Sequence, residues 1–128
     1  MAGTIAADTL THSTAGSITT NYVVEGSAKA WANSNLTGTQ SNRDSFNIAS
    51  ITDAGVGVAN YGISNTMSDG NYSGVAQEGS TNTTAFSLQF PYNSTNTSSQ
   101  YGIVTFTASF SATADASVVS TAIYGDLA

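Results

Sequence analysis

The sequence has no cysteine, one proline (Pro91), one histidine (His12) and two basic residues, Lys29 and Arg43. Without cysteine there are no disulfides and no thiolate zinc sites. His12 sits in Leu10-Thr11-His12-Ser13-Thr14, away from any Gly-x-Ser-x-Gly elbow, so it reads as a solvated side chain rather than a catalytic base. Two cations cannot release enough counterions to bind a phosphate backbone, which argues against nucleic acid. The same shortage argues against docking on an anionic membrane. No apolar run approaches the roughly 20 residues of a membrane span, so no membrane insertion is expected. Met1 to Ile5 lacks the basic and apolar regions of a signal peptide. Charged residues make up 8% of the chain, against about 25% in an ordinary domain. Catalytic and metal sites are built from the residue types that are scarce here. No enzyme activity, cofactor or metal is therefore expected.

What is present is Ser, Thr, Asn and Gly, which together make almost half of the 128 residues. Leu, Ile, Val and Phe are just under the roughly 20% below which a chain of high net charge would be disordered. Here the net charge is only −6, and there are six Tyr, five Phe and one Trp. The chain reads as folded around a thin core. Much of its buried surface must come from Ala, Thr and Ser groups, each contributing less than a Leu or Phe. Sharing burial between copies of the chain is the simplest remedy, so an oligomer is expected.

Alternation, punctuated by Gly, Asn and Asp, recurs along the chain; no helical period is sustained. Thr4 to Thr11 and Ser17 to Val24 read as weak extended segments, so residues 1–25 form an arm or oligomer-contact segment. Residues 26–128 form one β-rich domain. In Ala28 to Asn33, Lys29, Trp31 and Asn33 share a face. The Lys29 stem is expected to cover Trp31, with its amine in water. Asp44 to Thr52 alternates with Phe46 and Ile48 on one face. Asp53-Ala54-Gly55 reads as a three-residue hairpin turn. A parity switch in Val56 to Ser64 predicts a bulge near Asn60. Ser68 to Asn71 is a turn, and Tyr72 to Gln77 a strand. Ala85 to Phe90 puts Phe86, Leu88 and Phe90 on one face before Pro91 stops it. Tyr101 to Ala112 is the longest predicted strand, with Val104, Phe106, Ala108 and Phe110 inward. Ser117 to Tyr124 closes the domain. The pattern predicts an all-β fold, an antiparallel β-sandwich or meander of about seven strands.

The candidate core or interface residues are Trp31, Phe46, Ile48, Phe86, Leu88, Phe90, Val104, Phe106 and Phe110. Asp53, Asp69, Asp115 and Asp126 fall at turns, where Asp bonds local backbone N–H groups. A carboxylate pair for glycoside hydrolysis is not fixed by that placement. Asp69-Gly70-Asn71 is a fragment of a calcium loop and not a whole one. Glu78 to Thr83 and Pro91 to Gln100 read as exposed polar loops. Tyr92, Asn93, Asn96 and Asn82 are the candidate contacts for a glycan or receptor, since aromatics beside amides make sugar platforms.

Ala28-Lys29-Ala30-Trp31, Thr37-Gly38-Thr39 and Arg43-Asp44-Ser45-Phe46-Asn47-Ile48 through Asp53 form a further pattern. With Met1 to Ile5, Asp8-Thr9-Leu10, Met67 to Tyr72 and Tyr124-Gly125-Asp126, it resembles small tail-fibre and fibre-like virion proteins of marine bacteriophages, including those infecting cyanobacteria. The likeness runs the length of the chain. The chain departs from that pattern at Ser34, where the family often carries Phe, and at Gly62. The resemblance implies a homotrimeric virion component with no catalytic residues. It would be assembled in the host bacterial cytoplasm and sit on the virion exterior. A short chain starting at Met is expected to be a separately encoded tip, head fibre or decoration protein. Expected partners are copies of itself, other tail or capsid proteins, and host-surface glycan. The alternatives are a capsid decoration or tail-joint protein with no ligand, or a carbohydrate-binding module.

Overall fold

A computed structural model describes residues 6–79, 86–90, 96–107 and 109–128. Among the described residues the fold is all-β and antiparallel, with ten strands and one short helix. The arm holds β1 (Thr9–His12), β2 (Gly16–Thr19) and helix α1 (Thr20–Gly26). The body holds β3 (Ala30–Asn35), β4 (Ser41–Phe46), β5 (Ile48–Gly55), β6 (Val58–Ile63), β7 (Ser73–Gly79), β8 (Phe86–Gln89), β9 (Gln100–Thr107) and β10 (Val118–Tyr124). Its eight strands make two four-stranded sheets, ordered β4-β3-β10-β7 and β5-β6-β9-β8. Ala30, Ala32, Val119 and Ile123 from the first sheet join Tyr61, Ile63, Tyr101 and Ile103 from the second in one buried cluster. The body is thus a sandwich.

The core is thin in side-chain volume and is held by aromatic rings and internal hydrogen bonds. Tyr61 and Tyr101 stack with centroids 4.8 Å apart, and Phe90 meets Tyr101 edge-on at 5.6 Å. The Tyr101 hydroxyl shares a 2.8 Å hydrogen bond with Thr121 Oγ1 across the two sheets. The Tyr72 hydroxyl donates to the Gln100 carbonyl at 2.7 Å. Buried hydroxyls need such partners. Burial raises the pKa of Tyr61, Tyr101 and Tyr72, the last to about 12. Ser34, which stands where a Phe was expected from the resemblance, is fully buried and donates to Asn42 Oδ1 at 2.8 Å.

Several sequence expectations are corrected. The segment Ser17 to Val24 is not one extended piece: its second half is α1. The helix has no side-chain N-cap bond and no acid in its first turn, so the usual start signals are missing. Its C-terminus is closed instead by Lys29, whose amine donates to the Val24 carbonyl and, at 2.9 Å, to the Ser27 carbonyl. Lys29 is 7% exposed, so its amine is not left in water.

Asp44 to Thr52 is two strands in different sheets. Asn47 breaks it with φ 57°, a left-handed conformation that Asn tolerates better than most residues. Its side chain donates to the Lys29 and Asn65 carbonyls at 2.9 and 3.0 Å and accepts from Asn65 N–H at 2.6 Å. This corner parts Phe46, which is 55% exposed, from Ile48, which packs on the core.

The hairpin turn is Val56-Gly57 rather than Asp53 to Gly55. Gly57 has φ 70° and lies under the Thr105 and Ala114 backbones, with no room for a Cβ. The register shifts lie on β5, near Ile48–Ser50 and Asp53–Gly55, while the β6–β9 ladder is regular through Asn60. The last long strand stops at Thr107. Phe110 has φ 54° and is 61% exposed, so it does not point inward. Over Tyr101 to Thr105 the strand is buried on both faces, which alternation alone cannot reveal. Glu78 and Gly79 belong to β7, paired with Val119 and Val118, and not to a loop.

Arg43 spans the first sheet's edge. The β3–β4 register shifts between Asn33 and Ser34, so that Arg43 is skipped. Its guanidinium donates to the Ser34 carbonyl at 2.8 Å and the Ser117 carbonyl at 2.5 Å. Both cations of the chain therefore bind backbone carbonyls.

Candidate functional site

Two surfaces gather chemistry that the core does not use. The first is a cleft of about 370 Å³ at one end of the sandwich. Its walls come from α1 (Glu25), the turn after β6 (Met67, Ser68, Asp69, Asn71), Tyr72, and the chain end (Gly125, Asp126). The walls are fixed by the backbone: Met67 N–H donates to the Ser98 carbonyl, Ser68 N–H to Asp126, and Ala128 N–H to Thr66. Asp69 accepts from Asn71 N–H at 2.7 Å and from its side-chain amide at 3.0 Å. Those bonds favour the charged form and hold its carboxyl below the usual range, with the backbone bond the larger cause.

The cleft offers carboxylate acceptors beside the hydroxyl of Ser68 and the amide of Asn71. Such a set can exchange hydrogen bonds with a polar, hydroxyl-rich ligand. Asp69 is held ionised by its Asn71 bonds, and burial holds Tyr72 neutral. Among the described residues no group of three or more His, Cys, Asp or Glu is placed to hold a metal.

Of the sequence-derived contact candidates, Tyr92, Asn93 and Asn82 lie outside the described residues. Asn96 is described and half-buried. Its carbonyl sits where a Cβ on Gly70 would come within 2.8 Å. Asn96 and Thr97, in the described part of the Pro91 to Gln100 segment, therefore rest on the turn that walls the cleft. Asn96 Oδ1 is buried with no hydrogen-bond partner among the described residues. In the sequence Ser68, Asp69, Asn71 and Asp126 read as turn formers, Asp69 to Asn71 also as a fragment of a calcium loop, and Tyr72 as the start of a strand. Their convergence depends on the chain end returning beside the turn, through the Met67–Leu127 bridge.

The second surface is the outer face of the β4-β3-β10-β7 sheet. Trp31 pairs with Phe46 on one side and Ala122 on the other, and Ala122 pairs with Val75. These four residues form one outward apolar row across all four strands, about 14 Å wide at ordinary strand spacing. Trp31 is 37% exposed and Val75 59%. A parallel row of Asp44, Asn33, Ser120 and Gln77 is polar, with Asn33 Nδ2 donating to Ser120 Oγ at 3.0 Å.

The other candidate core or interface residues are dispersed. Ile48, Leu88 and Phe90 are half-buried against the core. Val104 is fully buried on the face of β9 opposite Tyr101 and Ile103. Phe106 is half-buried, 6.0 Å from the exposed Phe110 ring. Phe86 pairs through its backbone with Thr107, and its side chain lies outside the description.

Compared with known proteins, the chain matches no family model and has no significant match among curated proteins or solved structures.

Proposed function

We propose that the chain is a non-catalytic structural protein of a bacteriophage exterior, a tail-fibre, head-fibre or spike component that joins copies of itself and presents polar loops to a host surface. The observation that carries this reading is the contrast between a closed, internally bonded sandwich and the apolar side chains left outside it. Phe46, Trp31 and Val75 align in register on an otherwise polar face. A protein that acts alone has little use for such a row, whereas an assembling one does. The likeness of the Trp31 to Asp53 block to fibre-like virion proteins supplies the setting. The end cleft, with Asn96 and Thr97 against its walling turn, would take neutral glycan through Ser68, Asn71 and the neighbouring carboxylates.

The test is binding of labelled full-length chain to candidate host cells and to neutral glycans. Saturable binding that weakens at least ten-fold in Asn71→Ala supports attachment. If neither cells nor glycans are bound, the attachment role is wrong and a decoration or tail-joint role without a ligand replaces it.

A further inference from the structure

The outer sheet face is not flat. Along β10 the outward side chains Ser120 and Ala122 are small, while the flanking strands carry Trp31 and Asn33 on one side and Val75 and Gln77 on the other. The result is a trough along β10, with a depression of about 320 Å³ on its β7 side. Its walls stand two strand spacings apart, roughly 10 Å, which is also the usual distance between packed β-layers.

The arm has the opposite shape. Leu10 and Ile18 are cross-strand partners, so they project together from one face of the β1–β2 hairpin. The opposite face carries Thr11 and Ser17, joined by a 2.9 Å hydroxyl bond. Leu10 is 44% exposed and Ile18 48%. Helix α1 buries none of its residues. An isolated two-stranded hairpin is at best marginally stable in water; it needs its apolar face covered. The helix that follows leaves its apolar side chains uncovered as well, with Tyr22 74%, Val23 43% and Val24 59% exposed, so the whole arm presents apolar surface that the body of its own chain does not bury.

We propose that the β10 trough receives the arm of a second copy of this chain, with Leu10 and Ile18 seated over Ser120 and Ala122 between Trp31 and Val75. The contact joins two different surfaces, so each copy gives an arm and takes one. Such head-to-tail exchange gives a ring where the rotation between copies closes, and a ring of three would match the homotrimer that the resemblance implies. The inference rests on the self-assembly part of the proposed function and on neither the virion nor the host. It is tested with purified protein alone, so failed host binding leaves it standing.

The single tryptophan lies in the trough wall and reports occupancy directly. Full-length protein is expected to associate at micromolar concentration, with Trp31 emission shifting to the blue as it does so. Leu10→Asp/Ile18→Asp and Val75→Asp should each raise the dissociation constant at least ten-fold while keeping the far-ultraviolet circular dichroism of the parent. Mixing the two variants pairs the intact arm of one with the intact trough of the other and should give a heterodimer, which neither variant forms alone, but no closed ring. Because the chain has no native cysteine, an Ile18→Cys/Ala122→Cys chain offers a second readout that tolerates a weakened arm. On oxidation it should give covalent dimers and trimers on a non-reducing gel. The proposal is overturned by a parent chain that stays monomeric at about 100 µM. It is equally overturned by association that survives the arm substitutions, or by an oxidised cysteine pair that closes only within one chain.

Discussion

Replacing Gly74 with alanine puts a methyl group where the Phe90 ring lies. A Cβ at Gly74 would meet Phe90 Cε1 at 2.0 Å and Cζ at 2.3 Å, where ordinary contact is about 3.5–4.0 Å. The ring is also engaged by Tyr101, edge-on at 5.6 Å. Among the described residues β7 is an edge strand paired only with β10, and this ring lies against it at Gly74 while packing on the core. The methyl must therefore expel the ring or lift β7. Overpacking of this kind costs about 1–3 kcal/mol, and part of it is the aromatic pair, worth about 0.5–1.5 kcal/mol. For a domain of this size about 2 kcal/mol lowers Tm by roughly 6–10 °C, readable by thermal unfolding followed by circular dichroism. The informative design is a double-mutant cycle. Phe90→Ala alone should cost about 2–3 kcal/mol for a half-buried ring. Adding Gly74→Ala to it should cost almost nothing more, because the clash has gone. Additive losses, or a neutral Gly74→Ala, would refute the reasoning.

Three further outcomes follow from the same packing. Gly57→Ala should cost about 3 kcal/mol or more, since its Cβ would lie 2.6 Å from the Thr105 carbonyl and 2.8 Å from Ala114 backbone atoms at φ 70°; urea midpoints within error of the parent would contradict this. Arg43→Met should cost about 1–2 kcal/mol by stranding the Ser34 and Ser117 carbonyls, and Arg43→Lys should recover less than half, because an ammonium cannot span both as a planar fork does; full rescue by lysine counts against the bridging role. Tyr61, Tyr72 and Tyr101 are held neutral in the folded chain, Tyr72 until about pH 12, while unfolded tyrosines ionise near pH 10. Their stabilising contribution is therefore complete below pH 10 and is lost as the pH rises towards about 12; denaturant midpoints unchanged at pH 11.5 would contradict it.

Strand character was legible wherever one face is buried and the other wet. Ala28 to Asn33 shows this, with Ala30 and Ala32 in the core and Trp31 outside. It was illegible where the period breaks. β9 is buried on both sides, so Val104 and Tyr101 cannot be sorted by alternation. Asn47 looks like any polar strand residue until its positive φ parts Phe46 from Ile48. Tyr22-Val23-Val24 has the β-branched look of a strand, yet forms a two-turn helix held at its C-terminus by a lysine five residues beyond Val24. The cleft was hidden for another reason. Ser68, Asp69 and Asn71 are correct turn residues, and only the return of Gly125 and Asp126 makes them a wall. Both cations turned out to bind carbonyls, although Asp44 directly follows Arg43 and Glu25 lies four residues before Lys29.

The proposed role is that of an outward-facing structural part of a virus particle. The most direct measurement is an averaged electron-microscopy map, with mass spectrometry, of purified particles from a lysate expressing the chain. The chain is expected to co-purify with the particles, and its density to sit outside the shell or on the tail in groups of three. Intact particles that lack the chain, with all of it free in the lysate, would contradict the claim.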